Sequence, residues 1–140
     1  MLKEINIEQR FTFKKEEKLK SRKLIEQLFK EGNSFSNFPF RILYIFLESN
    51  ITVLQSGFAV SAKTFKKSVD RNKIKRLMRE SYRLQKNNLS KALRIQNKFM
   101  IAFFIYTGNI IPDYKDIEEK MQSALKRLNK IADENNIANS

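Results

Sequence analysis

The chain has 140 residues and a net charge of +13, from 28 Lys and Arg against 15 Asp and Glu. It contains no Cys and no His, which excludes disulfides, thiolate nucleophiles and imidazole-dependent acid–base or zinc chemistry. The excess positive charge predicts a polyanionic partner, with nucleic acid as the first candidate and an anionic membrane as the second. No stretch reaches the roughly 18 apolar residues that span a bilayer, and residues 1–10 lack the apolar core of a signal peptide, so we expect a cytoplasmic protein.

The composition predicts one folded domain. Hydrophobic residues make up 41% of the chain, including 12 Phe, against only 3 Gly and 2 Pro, which is too apolar and too little punctuated for a disordered polyelectrolyte. We interpret residues 1–18 as a basic, partly extended arm, residues 19–132 as the domain and residues 133–140 as a polar tail.

The first half of the domain reads as one helix followed by strands. SRKLIEQLFKEG has helical spacing of its apolar residues, with Ser21 as N-cap and Gly32 just after the end. GNSFSNFP is rich in turn residues. FRILYIFLES from Phe40 is typical of a buried strand, residues 51–54 extend a second strand, and SGFAVSAK from Ser56 forms a third. In that third strand Gly57, Ala59, Ser61 and Lys63 share a small, polar face.

The second half alternates helix, strand and helix. A basic connection over residues 63–70 leads into a helix that runs to about Asn87. KFMIAFFIYTG, from Lys98, is apolar on both sides and predicts a central strand covered on two faces. A last helix starts at Pro112/Asp113, with acidic residues early and basic residues late. The fold class is therefore α+β, in the order helix-strand-strand-strand-helix-strand-helix.

The helix after the basic connection carries an unusual charge pattern. A helical projection puts its apolar residues on one side and a polar arc on the other, formed by Arg71, Asn72, Lys75, Arg76, Arg79, Arg83 and Lys86. A solvated face is the ordinary interpretation of such an arc. However, Glu80 is the only acid between Arg71 and Lys91, and like charges at i,i+4 cost a few tenths of a kcal/mol each. That repulsion is tolerated if a polyanion supplies the counter-charge, so the pattern favours polyanion binding.

The sequence of the same helix resembles the signature of a known protein family. RNKIKRLMRESYR is similar to the signature of the protein subunit of bacterial ribonuclease P, an Arg-Asn-Arg triplet followed by Ile-Lys-Arg-Leu and a further Arg. KLKSRK with LFKEGNSF resembles the first helix of that family, and GFAVSAK with the basic connection resembles the strand and loop before the motif. The similarity covers most of residues 11–84.

The resemblance implies a small basic protein that is not catalytic alone. A large catalytic RNA would cleave the 5′ leader from precursor tRNA with Mg²⁺, and the protein would bind that RNA and the leader. The implied contacts to the catalytic RNA are Arg71, Asn72, Lys73, Lys75, Arg76 and Arg79, together with Lys66 and Lys67 of the basic connection. Lys73 replaces the second Arg of the signature, and its ammonium keeps the charge but not the bidentate fork.

The resemblance also implies a leader-binding cleft between the first helix and an open sheet face. Phe29, Ser61 and Lys63 occupy the matching positions, Ile25 stands where family members often carry Phe, and Phe40 or Tyr44 are further candidates for aromatic surface. The alternative for Phe29 is ordinary core packing, since helical Leu-Phe pairs are usually buried. A base stacked on Phe29 would be held by roughly 1–3 kcal/mol with little sequence preference.

The family further implies a four-stranded α/β sandwich with an unusual left-handed crossover, against the usual rule. We expect Mg²⁺ to be bound mainly by the RNA, with no dedicated metal site on the protein, and a monomeric protein in a 1:1 complex with ribonuclease P RNA that also binds precursor tRNA. Two alternatives stay open. One is another single-domain RNA-binding protein, such as a ribosomal or tRNA-processing accessory, and the other is a Mg²⁺-dependent nuclease with paired carboxylates.

Overall fold

The computed structural model describes the backbone of residues 11–139 and the side chains of residues 11–134. The helices are α1 (Arg22–Glu31), α2 (Ser68–Gln85), α3 (Asn87–Ile95) and α4 (Tyr114–Asn139), preceded by a short 3-10 helix at Lys15–Glu17. The strands are β1 (Asn33–Asn37), β2 (Phe40–Leu47), β3 (Leu54–Val60) and β4 (Phe99–Tyr106). The predicted α+β class and its order are confirmed, with α3 as an additional short helix after α2.

The four strands form one mixed sheet in the order β1-β2-β4-β3. β2 is antiparallel to both β1 and β4, whereas β3 and β4 are parallel neighbours. The apolar strand β4 is therefore central, as its sequence predicted. α2 and α3 make the crossover between β3 and β4, and its left hand stays a prediction.

The two faces of the sheet carry separate cores. The larger core lies between the sheet and helices α2, α3 and α4, and includes the fully buried rings of Phe40, Tyr82 and Phe104. The smaller core lies under α1 and is built on Leu19, Leu28, Leu43 and Ile101. Because α1 has only 10 residues, it covers part of its face and leaves the rest open.

Three local predictions differ from the structure. The turn-rich stretch GNSFSNFP contains the strand β1, whereas residues 51–53 lie outside any strand. β1 is an edge strand with mostly exposed polar side chains, so it lacks the apolar alternation by which a strand is recognised. The helix predicted to end near Asn87 ends at Gln85, and α3 follows directly.

The local sequence explains the two helices that carry the candidate site. In α1 the hydroxyl of Ser21 accepts a hydrogen bond from the Leu24 amide at 3.3 Å, as expected of an N-cap. In α2 the buried residues Ile74, Met78, Ser81 and Tyr82 recur at i, i+4, i+7 and i+8. This spacing fixes the rotation of α2, so its basic residues lie on the side away from the core.

Residues 11–19, the described part of the predicted arm and the first residue of the domain, pack against the edge of β3 and the end of α2. The Leu19 amide donates to the Ser56 carbonyl at 2.9 Å, and Gln55 Nε2 donates to the Glu16 carbonyl at 2.8 Å. The ring of Phe13 lies 5.5 Å from that of Tyr82. Residues 1–10 of the arm lie outside the described residues. At the other end, α4 includes residues 133–139 of the predicted polar tail.

The tyrosines give a first testable prediction. Burial raises the pKa of all four, and Tyr82, which also shares a 2.6 Å hydrogen bond with Ser56, is the most enclosed. A raised pKa in the folded state means that the unfolded chain loses the proton first, so stability is intact below the ordinary tyrosine pKa of about 10 and falls as the pH rises above it. We expect the free energy of unfolding in urea to decline above about pH 10, and Tyr82→Phe to flatten that decline. Parallel pH profiles for the two proteins would contradict this assignment.

Candidate nucleic-acid interface

The exposed side of α2 and the connection before it form a surface that we call the cationic face, made of Lys66, Lys67, Asn72, Lys73, Lys75, Arg76 and Arg79. All of these side chains are exposed except that of Lys75, which is half-buried. Within residues 11–134, none of them lies within ion-pair distance of an acidic side chain. Lys75 and Arg79 are also i,i+4 neighbours of like charge, so the face carries repulsion that a bound polyanion would relieve.

Arg71 stands at the edge of this face and has a different role. Its Nη1 donates to the carbonyls of Phe65 and Lys66, at 2.7 and 2.9 Å. The guanidinium therefore braces the connection that carries Lys66 and Lys67. The predicted contact of Arg71 with RNA stays a prediction, and one of its terminal nitrogens already has partners within the protein.

The basic residues at the other end of the predicted arc are engaged within the protein. Arg83 forms an ion pair with Glu80 at 2.5 Å and also donates to the Phe11 carbonyl. The side chain of Lys86 is buried and pairs with Glu17 at 2.5 Å. The hydrogen bond from Arg83 lowers the pKa of Glu80. Both basic residues hold the N-terminal segment, so the cationic face ends at Arg79.

A cleft lies on the opposite sheet face, beside α1. Its floor is formed by Gly57 and Ala59 of β3 and by their partners in the parallel register, Phe103 and Ile105 of β4. Phe29 of α1 forms the wall, with its ring centroid 5.6 Å from that of Phe103. Phe29 is 53% exposed, which is far more than a core position allows, so its ring is available to a ligand.

The other cleft residues predicted from the resemblance divide into two groups. Ser61 and Lys63 are exposed and follow directly after β3, so they lie at the end of the cleft floor. Ile25 is half-buried against the smaller core and contributes apolar wall. Phe40 and Tyr44, however, lie on the wrong face of the sheet.

The placement of Phe40 and Tyr44 is a correction with a simple cause. Side chains of a strand alternate between faces, and the even-numbered residues of β2 face α2 and α4. Phe40 is 1% exposed and packs edge-on against Phe104. Tyr44 contacts Phe35 and Phe46 in the same layer. Neither ring can reach a ligand beside α1.

Gly57 makes room for an aromatic ring in the cleft floor. A Cβ at this position would lie 2.8 Å from the ring of Phe103, closer than side chains tolerate. The aromatic ring of Phe103 therefore occupies the space that a side chain on β3 would take. This close approach needs Gly and leaves a shallow floor formed largely by the Phe103 ring.

Three cleft residues were not predicted from the sequence. Phe103 and Ile105 belong to a strand expected to be covered on both faces, but the short α1 leaves them half-buried. Arg41, which is exposed and pairs with Ile105 in the register, adds a cation at the same end as Lys63. Only the strand register reveals this neighbourhood, and the sequence carries no signal for it.

The two surfaces meet at one end of the sheet. Residues 61–67 run from the end of β3, at the cleft, to the N-terminus of α2, at the cationic face. The Phe65 amide donates to the Ser61 carbonyl at 3.0 Å, and the buried Phe65 ring packs against Tyr106. This anchored connection gives the two surfaces a fixed relation, so a ligand could contact both at once.

The described residues contain no group of three or more acidic side chains, Cys or His that could hold a metal ion. They also include no helix that is long and apolar enough to cross a membrane. The two surfaces themselves present cations, small polar groups and the exposed ring of Phe29.

Comparisons with known proteins agree with the resemblance. A sequence model of the Ribonuclease P family matches residues 13–129. The chain is 36% identical over 120 residues to a ribonuclease P protein component from Porphyromonas gingivalis, covering 84% of this chain and 87% of that protein. It is 35% identical over 114 residues to one from Clostridium botulinum, covering 81% and 95%.

Solved structures of similar proteins share the fold. The RNase P protein from Thermotoga maritima is 28% identical, with a TM-score of 0.59 and coverage of 79% of this chain and 96% of that one. The RNase P protein from Staphylococcus aureus, at 22% identity and a TM-score of 0.57, covers 79% of this chain and 94% of its own.

Proposed function

Because the chain belongs to the ribonuclease P protein family, we propose that its two surfaces divide the protein's work in that ribonucleoprotein. A protein of this family is the non-catalytic subunit of an RNA-based endoribonuclease that matures the 5′ end of tRNA, and this is the function of the chain. In our proposal the cationic face binds the catalytic RNA and the cleft holds the 5′ leader of precursor tRNA.

One observation carries the assignment of the cationic face. Its Lys and Arg side chains have no acidic partners among the described residues. The buried residues of α2 fix the orientation of the helix, so these side chains are held on the side away from the core. Each phosphate that they neutralise releases counterions, which supplies binding free energy that depends on salt. Arg76 and Arg79 can in addition form bidentate contacts to phosphate, whereas Lys73 and Lys75 act as point charges.

The cleft suits a single strand of variable sequence. Its wall carries the exposed ring of Phe29. Its floor is shallow because Gly57 has no side chain and the ring of Phe103 fills that space. Every nucleobase has a π-face, so stacking tolerates sequence change, and the nearby cations Lys63 and Arg41 are suited to the backbone phosphates. Holding the leader there would position the scissile phosphate in the active site of the RNA.

The bond-breaking chemistry is assigned to the RNA. We propose that the Mg²⁺ required for cleavage is held mainly by the RNA, since the RNA is the catalytic subunit of this ribonucleoprotein. We also propose a monomeric protein in a 1:1 complex with the RNA, acting in the cytoplasm. The protein's own residues would bind the catalytic RNA and the leader, orient the leader and neutralise phosphate charge.

Reconstitution tests this function. We expect the full chain, added to a bacterial ribonuclease P RNA at low Mg²⁺, to raise the rate of precursor tRNA cleavage, because the cationic face replaces part of the ionic screening that Mg²⁺ otherwise provides. The protein without RNA should not cleave. RNA binding without any gain in cleavage would point instead to an accessory RNA-binding protein, and cleavage by the RNA-free protein would point to a nuclease.

The cleft has its own test. We expect Phe29→Ala to weaken binding of precursor tRNA to the reconstituted complex about 5- to 150-fold, because a base would lose a stacking partner worth roughly 1–3 kcal/mol. The measurement compares the Kd of precursor tRNA with that of tRNA lacking the leader, which should not change. Phe38→Ala is the matched control, because this ring is 71% exposed but lies in the turn between β1 and β2. Equal effects of the two variants on the Kd of precursor tRNA would show that the leader does not bind in the cleft.

A further inference from the structure

A second recess lies on the helical side of the sheet, away from both the cleft and the cationic face. It is a cavity of about 530 Å³ between the end of α2, the start of α3 and the middle of α4. Its lining combines apolar side chains with an unusual concentration of carboxamides, among them Gln85, Asn88, Gln122 and Asn129. Nothing in the proposed function uses this cavity.

The polar lining is not saturated by the protein. Oδ1 of Asn129 is buried, and no donor among the described residues reaches it. Gln85 uses its amide nitrogen on the Glu118 carbonyl, at 3.1 Å. A carboxamide both donates and accepts, which is the pattern that the edge of a nucleobase requires. This oxygen is enclosed in the structure, and an N–H group of a ligand would supply the donor that it lacks once the Asn129 carboxamide turns toward the cavity.

An aromatic ring lines the cavity, and its residue is anchored through the backbone. Phe11, which lines it, is 49% exposed. The Phe11 carbonyl accepts a hydrogen bond from Arg83, whose guanidinium is held in turn by Glu80 at 2.5 Å. Leu84 and Leu89 line the same cavity. The site therefore offers a face for stacking beside groups that can read an edge.

Positive charge continues from the cavity along the surface. Lys126 is part of the cavity lining. Asn88 also lines an adjoining groove of about 640 Å³, between the N-terminal segment and α3, where Lys14, Lys91 and Arg94 are exposed. Of the two acids in that groove, Glu17 is already paired with Lys86. The excess charge suits the phosphates that flank a bound base.

We propose that this cavity binds the base of an unpaired RNA nucleotide, stacked on Phe11 and hydrogen-bonded by the carboxamides, with the adjoining groove taking the neighbouring phosphates. The site would give the protein a second hold on RNA, on the opposite side of the sheet from the leader cleft. It goes beyond the proposed function and does not depend on it.

Nuclear magnetic resonance of the full chain, with ¹⁵N-labelled side-chain amides, tests the site. Adenosine 5′-monophosphate is titrated into the protein. In a parallel titration it is replaced by ribose 5-phosphate, which carries the same phosphate without a base. We expect the amide resonances of Gln122 and Asn129 to shift with the nucleotide, and its Kd there to be about tenfold lower than that of ribose 5-phosphate, because the base adds stacking. Equal shifts for both compounds, or nucleotide shifts confined to α2 and the cleft, would overturn the proposal.

Two variants sharpen the test. Gln122→Leu changes an exposed position of α4, and Asn129→Leu removes the unpartnered acceptor; each should weaken the nucleotide about tenfold and leave ribose 5-phosphate unchanged. Gln27→Leu, on α1, is the matched control and should change neither. If the Gln122→Leu variant is folded and its affinity for the nucleotide is unchanged, the proposed site is wrong. Cleavage by the reconstituted complex is measured separately, so loss of this site and loss of the proposed function are distinguishable.

Discussion

Replacement of Lys73, Arg76 and Arg79 together by alanine is expected to weaken binding to ribonuclease P RNA on the order of 100-fold near physiological salt. The three side chains are exposed on one side of α2 and have no ion-pair partners among residues 11–134, so their charge is available to phosphates. Each phosphate contact contributes about 0.7–0.9 to the slope of log K against log salt. The slope should therefore fall by about two to three, and by about one for Lys75→Ala or Arg79→Ala alone.

A control of equal charge separates contact from general attraction. Lys115, Lys120 and Lys130 are exposed on α4, outside the cationic face, and their joint replacement by alanine removes the same net charge. We expect this control to change the affinity much less than the first variant. Similar losses in affinity and slope would mean that the RNA responds to the total charge of the protein rather than to α2.

Phe104→Ala should be the most destabilising single change considered, at about 3–5 kcal/mol. The ring is 0% exposed at the centre of the sheet and contacts the rings of Phe40, Phe58 and Tyr82, at centroid distances of 6.4, 5.4 and 5.6 Å. Its removal leaves a cavity among aromatic side chains that cannot easily collapse, because they belong to two different strands and a helix.

Urea denaturation at neutral pH measures this loss as a fall in the midpoint with little change in slope. Phe38→Ala is again the control, since a ring that is largely in solvent should contribute less than about 0.5 kcal/mol. A small effect of Phe104→Ala would mean that the layer between β4 and α2 is loosely packed.

The elements that the sequence predicts well are those whose periodicity is dictated by a core. α2 is an example, because Ile74, Met78 and Tyr82 recur with the helical period and thereby fix the orientation of its basic side. β1 and α3 carry weaker signals. β1 is a polar edge strand that is held by its partner β2, and α3 follows α2 after a single residue, Lys86, without an intervening Gly or Pro.

In the candidate site, too, some features are predicted by the local sequence and others depend on contacts between distant parts of the chain. Exposure of the cationic face up to Arg79 follows from the helical projection. Apart from the local pair of Arg83 with Glu80, the engagement of Arg83 and Lys86 does not, because their partners Phe11 and Glu17 are about 70 positions earlier in the chain. The cleft residues of α1 and β3 agree with the resemblance. The orientation of Phe40 and Tyr44 depended on a strand register that no local pattern specifies.

The central position of β4 has a consequence for synthesis of the chain. Among the four described strands β4 is the last to be synthesised, yet it is the strand that joins β2 to β3. Until residue 106 has emerged, β3 lacks its partner strand in the sheet, its only backbone contact is with residues 18 and 19 of the described N-terminal segment, and the floor of the cleft is incomplete. The β3 side of the sheet and the cleft floor can therefore form only after the cationic helix has been synthesised, whereas the β1–β2 hairpin precedes that helix in the chain.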